Sequence, residues 1–575
     1  FWTYCCINCM HILPDLRKLE TKYSQELVVI GVHSAKFKNE KDTSQIRQAI
    51  LRYGIRHPVV NDSEFEVWNS YAANAWPTLV LINPMGKVVG KLAGEGIYEP
   101  FDGVLSQAVP YFEKKGQLKR SAAQFALEEA RRANTLLQFP GKISSDEKGG
   151  RLFITDSNHD RILVADAAGK ILDVIGSGAE GHGDGTFEEA QFLNPQGTFL
   201  SGDVLYIADT ENHLIRAADL GARTVRTVLA NLKSPWDLLV QDGKMYIAMA
   251  GSHQLWVADL KTWQAQPYAG SGREDITNGK LSEAALAQPS GIATDGRKLY
   301  FADSETSSIR EADLNPSGRV RTIVGQGLFE FGDIDGGSLI ARLQHPLGVA
   351  FRDGQLYVAD TYNSKIKVVD PIKGSVRTLA GSGKKTLADG KFANAAFNEP
   401  GGLAWLNGKL YVADTNNHQI RILDPVAKTV AGLEFTGLEK LSRRQMGSFR
   451  GRVLDLGVRE VKTGNAQLAL NIVLPEGYKF NSDAPFFMRW STSNPDALKF
   501  GLQADKVDFK LVSFPLDVPI EPLNGRAEVT IDTIVYYCTA PSSACYVDPI
   551  RAKLALKASS SAPASVQVDI PVKKP

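Results

Sequence analysis

Two cysteines separated by two residues, Cys6 and Cys9, stand near the start of the chain. There the apolar run Phe1-Trp2-Thr3-Tyr4 gives way to a stretch of helical period. At such a junction the first thiol lies at a helix N-terminus, where unpaired N–H groups and the helix dipole favour its thiolate. A free thiol titrates near 8.5, and motifs of this kind bring the value to about 7 or far lower, so Cys6 is the expected attacking thiolate. Cys9, one turn on, is expected to stay protonated in the interior until it resolves the mixed disulfide formed by Cys6. Two other readings of the residues stay open: half of a zinc site, for which His11 is the near candidate ligand, and an inactive pair packed as small apolar residues. Cys5 reads as a core residue ahead of a third redox thiol. The dithiol chemistry needs no metal or other cofactor, and none is expected.

The remaining cysteines lie far away. Tyr536-Tyr537-Cys538, six intervening residues and Cys545-Tyr546 read as a hairpin whose strands bring the two thiols within disulfide reach. They are a candidate second redox pair, beside the plainer readings of a structural disulfide or two free thiols. Five cysteines in 575 residues are too few for a disulfide-stapled secreted protein and suit reactive or metal-binding roles better.

The elements that must position Cys6 and Cys9 follow from periodicity. Leu27 to Val32 and Thr78 to Ile82 read as buried strands, Asp15 to Ser24 and Ser44 to Tyr53 as helices, so residues 1–115 are predicted to form an α/β domain. His33 reads as a structural histidine, and Trp76 as either a core residue or a wall beside the cysteines. Residues 116–138 are predicted to be a helical linker, because Ala122 to Leu137 is rich in Ala, Glu, Arg and Leu.

The chain is too long for a single hydrophobic core, and three domains are expected. Lys plus Arg number 65 against 64 Asp plus Glu, so no global field favours nucleic acid. No apolar run approaches the roughly 20 residues that span a bilayer. The first residues carry no signal-peptide pattern and no starting Met, read here as a natural start that is missing. The compartment is therefore open, with the cytoplasm favoured over export.

Six copies of one pattern start at Leu152, Leu205, Met245, Leu299, Leu356 and Leu410. Each reads as an apolar strand, an Asp/Asn-rich turn and a second strand, clearest at Leu356 to Val369 and Leu410 to Leu423. The spacings of 53, 40, 54, 57 and 54 residues fit one four-stranded propeller blade per repeat. Asp184-Gly185, Asn278-Gly279, Asp335-Gly336 and Asp389-Gly390 each precede a proline by 11 residues, and those prolines open the next blade as Pro-x-Gly. The third blade departs, with Pro235-Trp236-Asp237. Asp209, Asp303, Asp360 and Asp414 end strands where Asp bonds the following turn, a structural role. The long inter-blade segments, such as Gly176 to Asn194 and Gly381 to Glu399, should emerge on one face and offer a contact surface. A six-bladed β-propeller over 139–434 is the expectation. From about residue 445 to 575 short alternating strands predict a β-sandwich.

These motifs carry resemblances. Phe1 to Met10 resembles the active-site strand and helix start of thioredoxin-like proteins, especially membrane-associated bacterial disulfide reductases. Pro14 matches their helix-kinking proline, and Trp76-Pro77 resembles the loop facing the cysteines, which implies that Pro77 is cis and shapes the substrate groove. Cys5 stands where that family usually has Trp, and Ile7-Asn8 replaces the familiar dipeptides, so the redox potential does not carry over. The repeats resemble NHL-repeat propellers, which are mainly binding platforms. The Cys538/Cys545 hairpin resembles the immunoglobulin-like periplasmic domain of the bacterial transmembrane thiol–disulfide interchange protein. The order of the three domains resembles the NHL repeat-containing protein two family. The resemblance implies a thiol–disulfide oxidoreductase that meets protein substrates at the propeller face and the inter-domain cleft, acting as a monomer. A non-catalytic scaffold is the alternative.

Overall fold

In a computed structural model the described residues are 1–118, 120, 125, 127–128, 135–437, 452–480, 486–501, 507–509, 514–523, 525–539 and 545–573. The chain divides into two compact units, residues 1–448 and 449–575. Most of the expected linker 116–138 lies outside the described residues.

Phe1 to Thr3 runs between two strand pairs and joins them. On one side Trp2 bridges to β1 (Gly31–His33), which pairs in parallel with β2 (Val59–Asn61). On the other, Thr78 N–H donates to Phe1 O (3.1 Å) at the start of β3 (Thr78–Ile82), the antiparallel partner of β4 (Val88–Ala93). The predicted strand from Leu27 is shorter than expected, because Leu27–Ile30 join no ladder among the described residues. The helix carrying the cysteines is broken in two, α1 (Ile7–His11) and α2 (Leu13–Lys22), with Pro14 in the first turn of α2, where its missing N–H is tolerated. α2 and α4 (Tyr98–Lys114) pack through Leu19 and Leu105 against Leu79 and Leu81. α3 (Thr43–Arg52), N-capped by Asp42, packs Ile46, Ala49 and Ile50 under Trp2 and Tyr4.

The six predicted hairpins form where the repeats place them, for example Gln355–Asp360 with Lys365–Asp370 and Lys409–Asp414 with Gln419–Asp424. Each belongs to a sheet of four or five strands. The first strand of each sheet touches that of the next, and the sixth returns to the first, so the sheets close a ring. Each blade lies between two others and buries both faces. The strands therefore read as continuous apolar runs, and every blade-to-blade junction has its own core, such as Leu356 and Val358 between the fourth and fifth blades. Leu433 and Phe435 return to the first blade, where Ile171 N–H donates to Thr436 O (2.9 Å), and this closes the ring.

The long inter-blade segments stitch rather than dangle. Gly185–Thr186, Gly279–Lys280 and Gly390–Lys391 add a fifth strand to the outer edge of the following blade. Asp184, in the first such segment, accepts from Thr227 N–H (3.0 Å) and Arg216 (2.7 Å). The third blade, with its short entry, has only four strands.

The prolines of the blade entries approach the ring axis, which explains the glycines two residues on. A Cβ on Gly402 would lie 2.7 Å from Lys142 Cα, and one on Gly291 would lie 2.6 Å from Leu347 O. At the corresponding position the first and third blades carry Lys142 and Asp237. These two side chains pair with each other at 3.5 Å, Lys142 buried and Asp237 partly so, and the departure at Pro235-Trp236-Asp237 thus has a partner departure in the first blade.

Residues 449–575 fold into two sheets. One runs in the order Arg452–Lys462, Cys545–Ser559, Arg526–Thr539, Phe486–Thr492, Val507–Phe509, with Tyr478–Phe480 also on Arg526–Thr539. The other runs Leu498–Phe500, Leu516–Pro522, Ala466–Val473, Ser565–Pro571. Leu468, Val518, Ile531 and Leu554 contribute to one core. The backbone register sets Cys538 opposite Cys545, while the expected meeting of their thiols lies outside the described residues.

Candidate functional site

Cys6 is the N-cap of α1, its backbone still extended at φ −78°, ψ 112°, and its Sγ accepts the N–H of Cys9 at 3.4 Å. On the far side the thiol lies 3.8 Å from the carbonyl oxygen of Trp76, and the Trp76–Pro77 bond is cis. The sheet thus brings Cys6, Cys9 and the Trp76-Pro77 loop together, while α1 and α2 are parted next to Pro14. The indole of Trp76 serves both readings made of it. Its ring packs on Trp68 with centroids 4.8 Å apart and donates to Ser34 O (2.9 Å), and it also lines the cavity at Cys6.

The three thiols are not equivalent. Cys6 is partly exposed, whereas Cys9 is 1% exposed and Cys5 4%. Burial pushes the Cys9 thiol well up from its ordinary value, and the neighbouring Cys6 adds to the effect. Burial does the same to Cys5, with Glu305 and Glu40 reinforcing it. An accessible thiol at a helix start beside a protonated, buried one is the arrangement that sequential attack and resolution require.

Beneath Cys5 sits a carboxylate the sequence reading passed over. Glu40 accepts from the backbone N–H groups of Cys5, Lys36 and Phe37, each at 2.9 Å, and burial raises its pKa to about 7. His33 is fully buried, accepts from Tyr4 N–H (3.4 Å), and is pushed down to about 3 by burial, so it is neutral and structural. His11 turns away from the cysteines and joins Glu95 and Ser234 Oγ through its two ring nitrogens, both at 2.7 Å. Among the described residues no cluster of three or more His, Cys, Asp or Glu forms a metal site.

The face bearing Cys6 rests on the propeller. One position of the propeller recurs among these contacts, the residue just before each blade-opening proline: Phe139, Asn194, Ser234, Gln288, His345 and Glu399. All six have φ between +46° and +62°, a backbone that side chains rarely adopt. Their side chains differ from blade to blade, and four of them meet the thioredoxin-like half. Ser234 holds His11, and Gln288 accepts from Ile7 N–H and donates to Cys5 O, both at 3.0 Å. The ring of His345 packs on Phe37. Glu399 accepts from Tyr4 (3.1 Å), Asn39 (2.7 Å) and Arg52 (3.1 Å). Lys36 forms a buried ion pair with Glu305 of the fourth blade. Between the two halves a cavity of about 60 Å³ opens on Cys6, bounded by Asn8, Lys36 and Trp76 on one side and by Glu274, Gln288 and Glu305 on the other.

Protein-family models match residues 1–88 as thioredoxin-like and residues 343–369 and 397–423 as NHL repeats, the last two being the blades in which the pattern is clearest. NHL repeat-containing protein 2 of Gallus gallus is 38% identical over 623 residues, which cover 96% of this chain and 85% of that protein. The chain belongs to the NHL repeat-containing protein 2 family. Protein SUPPRESSOR OF QUENCHING 1, chloroplastic, of Arabidopsis thaliana is 43% identical over 532 residues, covering 84% of this chain and 50% of that protein. Thiol-disulfide oxidoreductase ResA of Bacillus thuringiensis is 30% identical over 110 residues, 19% of this chain and 61% of its own.

In this member of the NHL repeat-containing protein 2 family, the residues missed from sequence are those that bridge the two halves. A signal for them was present: within otherwise repeating blades, the residue before each proline does not repeat. The repeating acids are structural, as expected. Asp303 accepts from Ala287 N–H (2.7 Å) and Arg310 (2.8 Å), and Asp414 from Asn398 N–H (2.7 Å) and Arg421 (2.9 Å). Each holds the backbone one residue ahead of the pre-proline position.

Proposed function

We propose that the chain is a thiol–disulfide oxidoreductase in which Cys6 is the nucleophile, Cys9 the resolving thiol and Pro77, with Trp76, the edge of the substrate groove. The reading takes residues 1–115 as the thioredoxin-like domain, 139–434 as a six-bladed NHL propeller and 445–575 as a β-sandwich. The observation that carries it is the asymmetry of the pair, with Cys6 open to the cavity at the start of α1 and Cys9 buried behind it. The Cys6 thiolate attacks one sulfur of a protein disulfide, forms a mixed disulfide and releases the other sulfur as a thiolate. Cys9 then gives up its proton and attacks Cys6 Sγ, which releases the second substrate thiolate and leaves a Cys6–Cys9 disulfide. An external dithiol must return the two electrons for a further turnover. Cys538 and Cys545, opposed in register, are the candidate second pair. The propeller holds the redox face and offers a protein-binding platform. With a dithiol as electron source, the intact chain is expected to reduce a model disulfide while Cys6→Ser does not, and equal rates overturn the proposal.

The close seating of the Cys6 face on the propeller also favours a second reading, a scaffold in which the thioredoxin-like fold is an interaction surface. Under it, Cys6→Ser and Cys9→Ser leave partner capture in a pull-down unchanged, and loss of capture counts against it.

A further inference from the structure

The peptide that carries Cys6 is held from outside its own domain. Gln288, 4% exposed, uses both ends of its carboxamide on the residues flanking Cys6: Oε1 accepts from Ile7 N–H and Nε2 donates to Cys5 O. Nothing within the thioredoxin-like half is described as making these two bonds. The backbone that carries this carboxamide is itself well fixed. Gln288 N–H donates to His253 (3.1 Å), Gln288 O accepts from Ser290 Oγ (2.8 Å), and the preceding N–H, of Ala287, is held by the buried Asp303.

Ile7 N–H is the first of the unpaired donors at the start of α1, one of the groups that stabilise a thiolate at the N-cap. Gln288 takes that donor, while Cys9 N–H points at Cys6 Sγ. The side chain therefore fixes where Cys6 sits and how much of the positive helix end it feels. We propose that Gln288 is a positioning residue for Cys6, supplied across the domain interface by the fourth blade, so that the propeller completes the redox site as well as flanking it.

The proposal rests on Cys6 being the reactive thiol, and it is tested without requiring turnover. Alkylation of Cys6 in the full chain is followed against pH by site-resolved mass spectrometry, in a background with Cys538→Ser and Cys545→Ser. In Gln288→Glu a carboxylate replaces the amide beside Cys6 and can no longer donate to Cys5 O. A like charge disfavours the thiolate, so the midpoint is expected to move up by about one pH unit, with alkylation about tenfold slower well below it. Gln288→Ala, which adds no charge, is expected to move the midpoint the other way, as Ile7 N–H becomes free for the thiolate. Asn194→Ala, at the same ring position but with its side chain on Glu211 and Gln196, is expected to leave it in place. Unmoved midpoints in both Gln288 variants, or an equal shift in Asn194→Ala, overturn the proposal. Normal Gln288 shifts together with an inactive wild-type chain would instead remove the oxidoreductase reading and keep the positioning role.

Discussion

In five of the six blades, all but the third with its Met249, strand ends and strand entries follow opposite rules. At the strand ends the sequence repeats: Asp156, Asp209, Asp303, Asp360 and Asp414 are all fully buried, and each accepts a backbone N–H at the blade entry. At the entries, one residue past that N–H, it varies through Phe, Asn, Ser, Gln, His and Glu on a shared left-handed backbone. The repeated acid builds a pedestal and the unrepeated residue is what the pedestal presents. The difference separates residues whose job is the fold from a ring position through which four blades, by Ser234, Gln288, His345 and Glu399, contact the thioredoxin-like half.

The comparison breaks most visibly at the pedestal. Asp303→Ala leaves the Arg310 guanidinium, itself inaccessible, without its carboxylate. Removing one partner of a buried ion pair costs about 3–5 kcal/mol. Urea unfolding should show a loss of that size, and a loss below about 1 kcal/mol would mean the repeated acids are decoration.

On the docking side the corresponding sensitivity is to pH. Glu40 has its pKa raised to about 7 in the folded chain, from an ordinary 4.5. Between those values the folded state holds a proton that the unfolded state has released, so this group's contribution to stability falls as pH rises from about 4.5 to about 7 and is flat above. Asp209, Asp360 and Asp414, raised to about 6, act in the same sense, while His33 and His345, pushed down to about 3, act in the opposite one. Comparison with Glu40→Gln isolates the one group. The variant should gain on the parent by about 3 kcal/mol between pH 4.5 and pH 7.5, whatever its absolute stability. A constant difference across that range would remove Glu40 as a buried titrating acid.

The sequence was legible wherever a local rule was repeated. Six hairpins, the Asp-Gly stitches and the Pro-x-Gly entries could be read because each blade solves the same packing problem. Cys6 and Cys9 could be read because their chemistry demands a fixed spacing, and Pro14 and Pro77 through the resemblance to thioredoxin-like proteins. Glu40, Gln288 and Glu399 could not, since their roles are set by residues distant in the chain: Gln288 lies 281 residues from Ile7, and Glu399 lies 347 from Arg52. The strand from Leu27 was overextended for a related reason. An apolar run shows that a segment can be buried, but a ladder needs a neighbour, and Leu27–Ile30 find none among the described residues.

A smaller effect sharpens the contrast at the entries. Glu399→Ala deprives Arg52, Tyr4 and Asn39 of a shared acceptor but leaves the sixth blade's own Asp414–Arg421 pair intact. Each polar partner left buried without its bond costs roughly 1–3 kcal/mol, reduced where water can enter. A local loosening of about 2 kcal/mol is expected, seen as faster amide exchange in α3 with unchanged protection in strand Lys409–Asp414. Equal loss in both places would show that the entry residue also supports the blade.

The smallest effect is expected of a double change where the two rules meet, at Lys142 and Asp237, the entry positions that hold side chains where four other blades have glycine. Burial disfavours the charged form of both, pulling Lys142 down and Asp237 up, and each is the other's compensation. Lys142→Gln alone should therefore cost about 3 kcal/mol by stranding the carboxylate. The double change Lys142→Gln with Asp237→Asn removes both charges and leaves an amide to accept from Leu238 N–H. It should stay within about 1 kcal/mol of the parent, because a buried pair often does little better than the neutral groups that can replace it. If the double variant is as unstable as the single one, the pair is a true fastener of the ring axis, and the first and third blades depart from glycine for stability rather than by mutual accommodation.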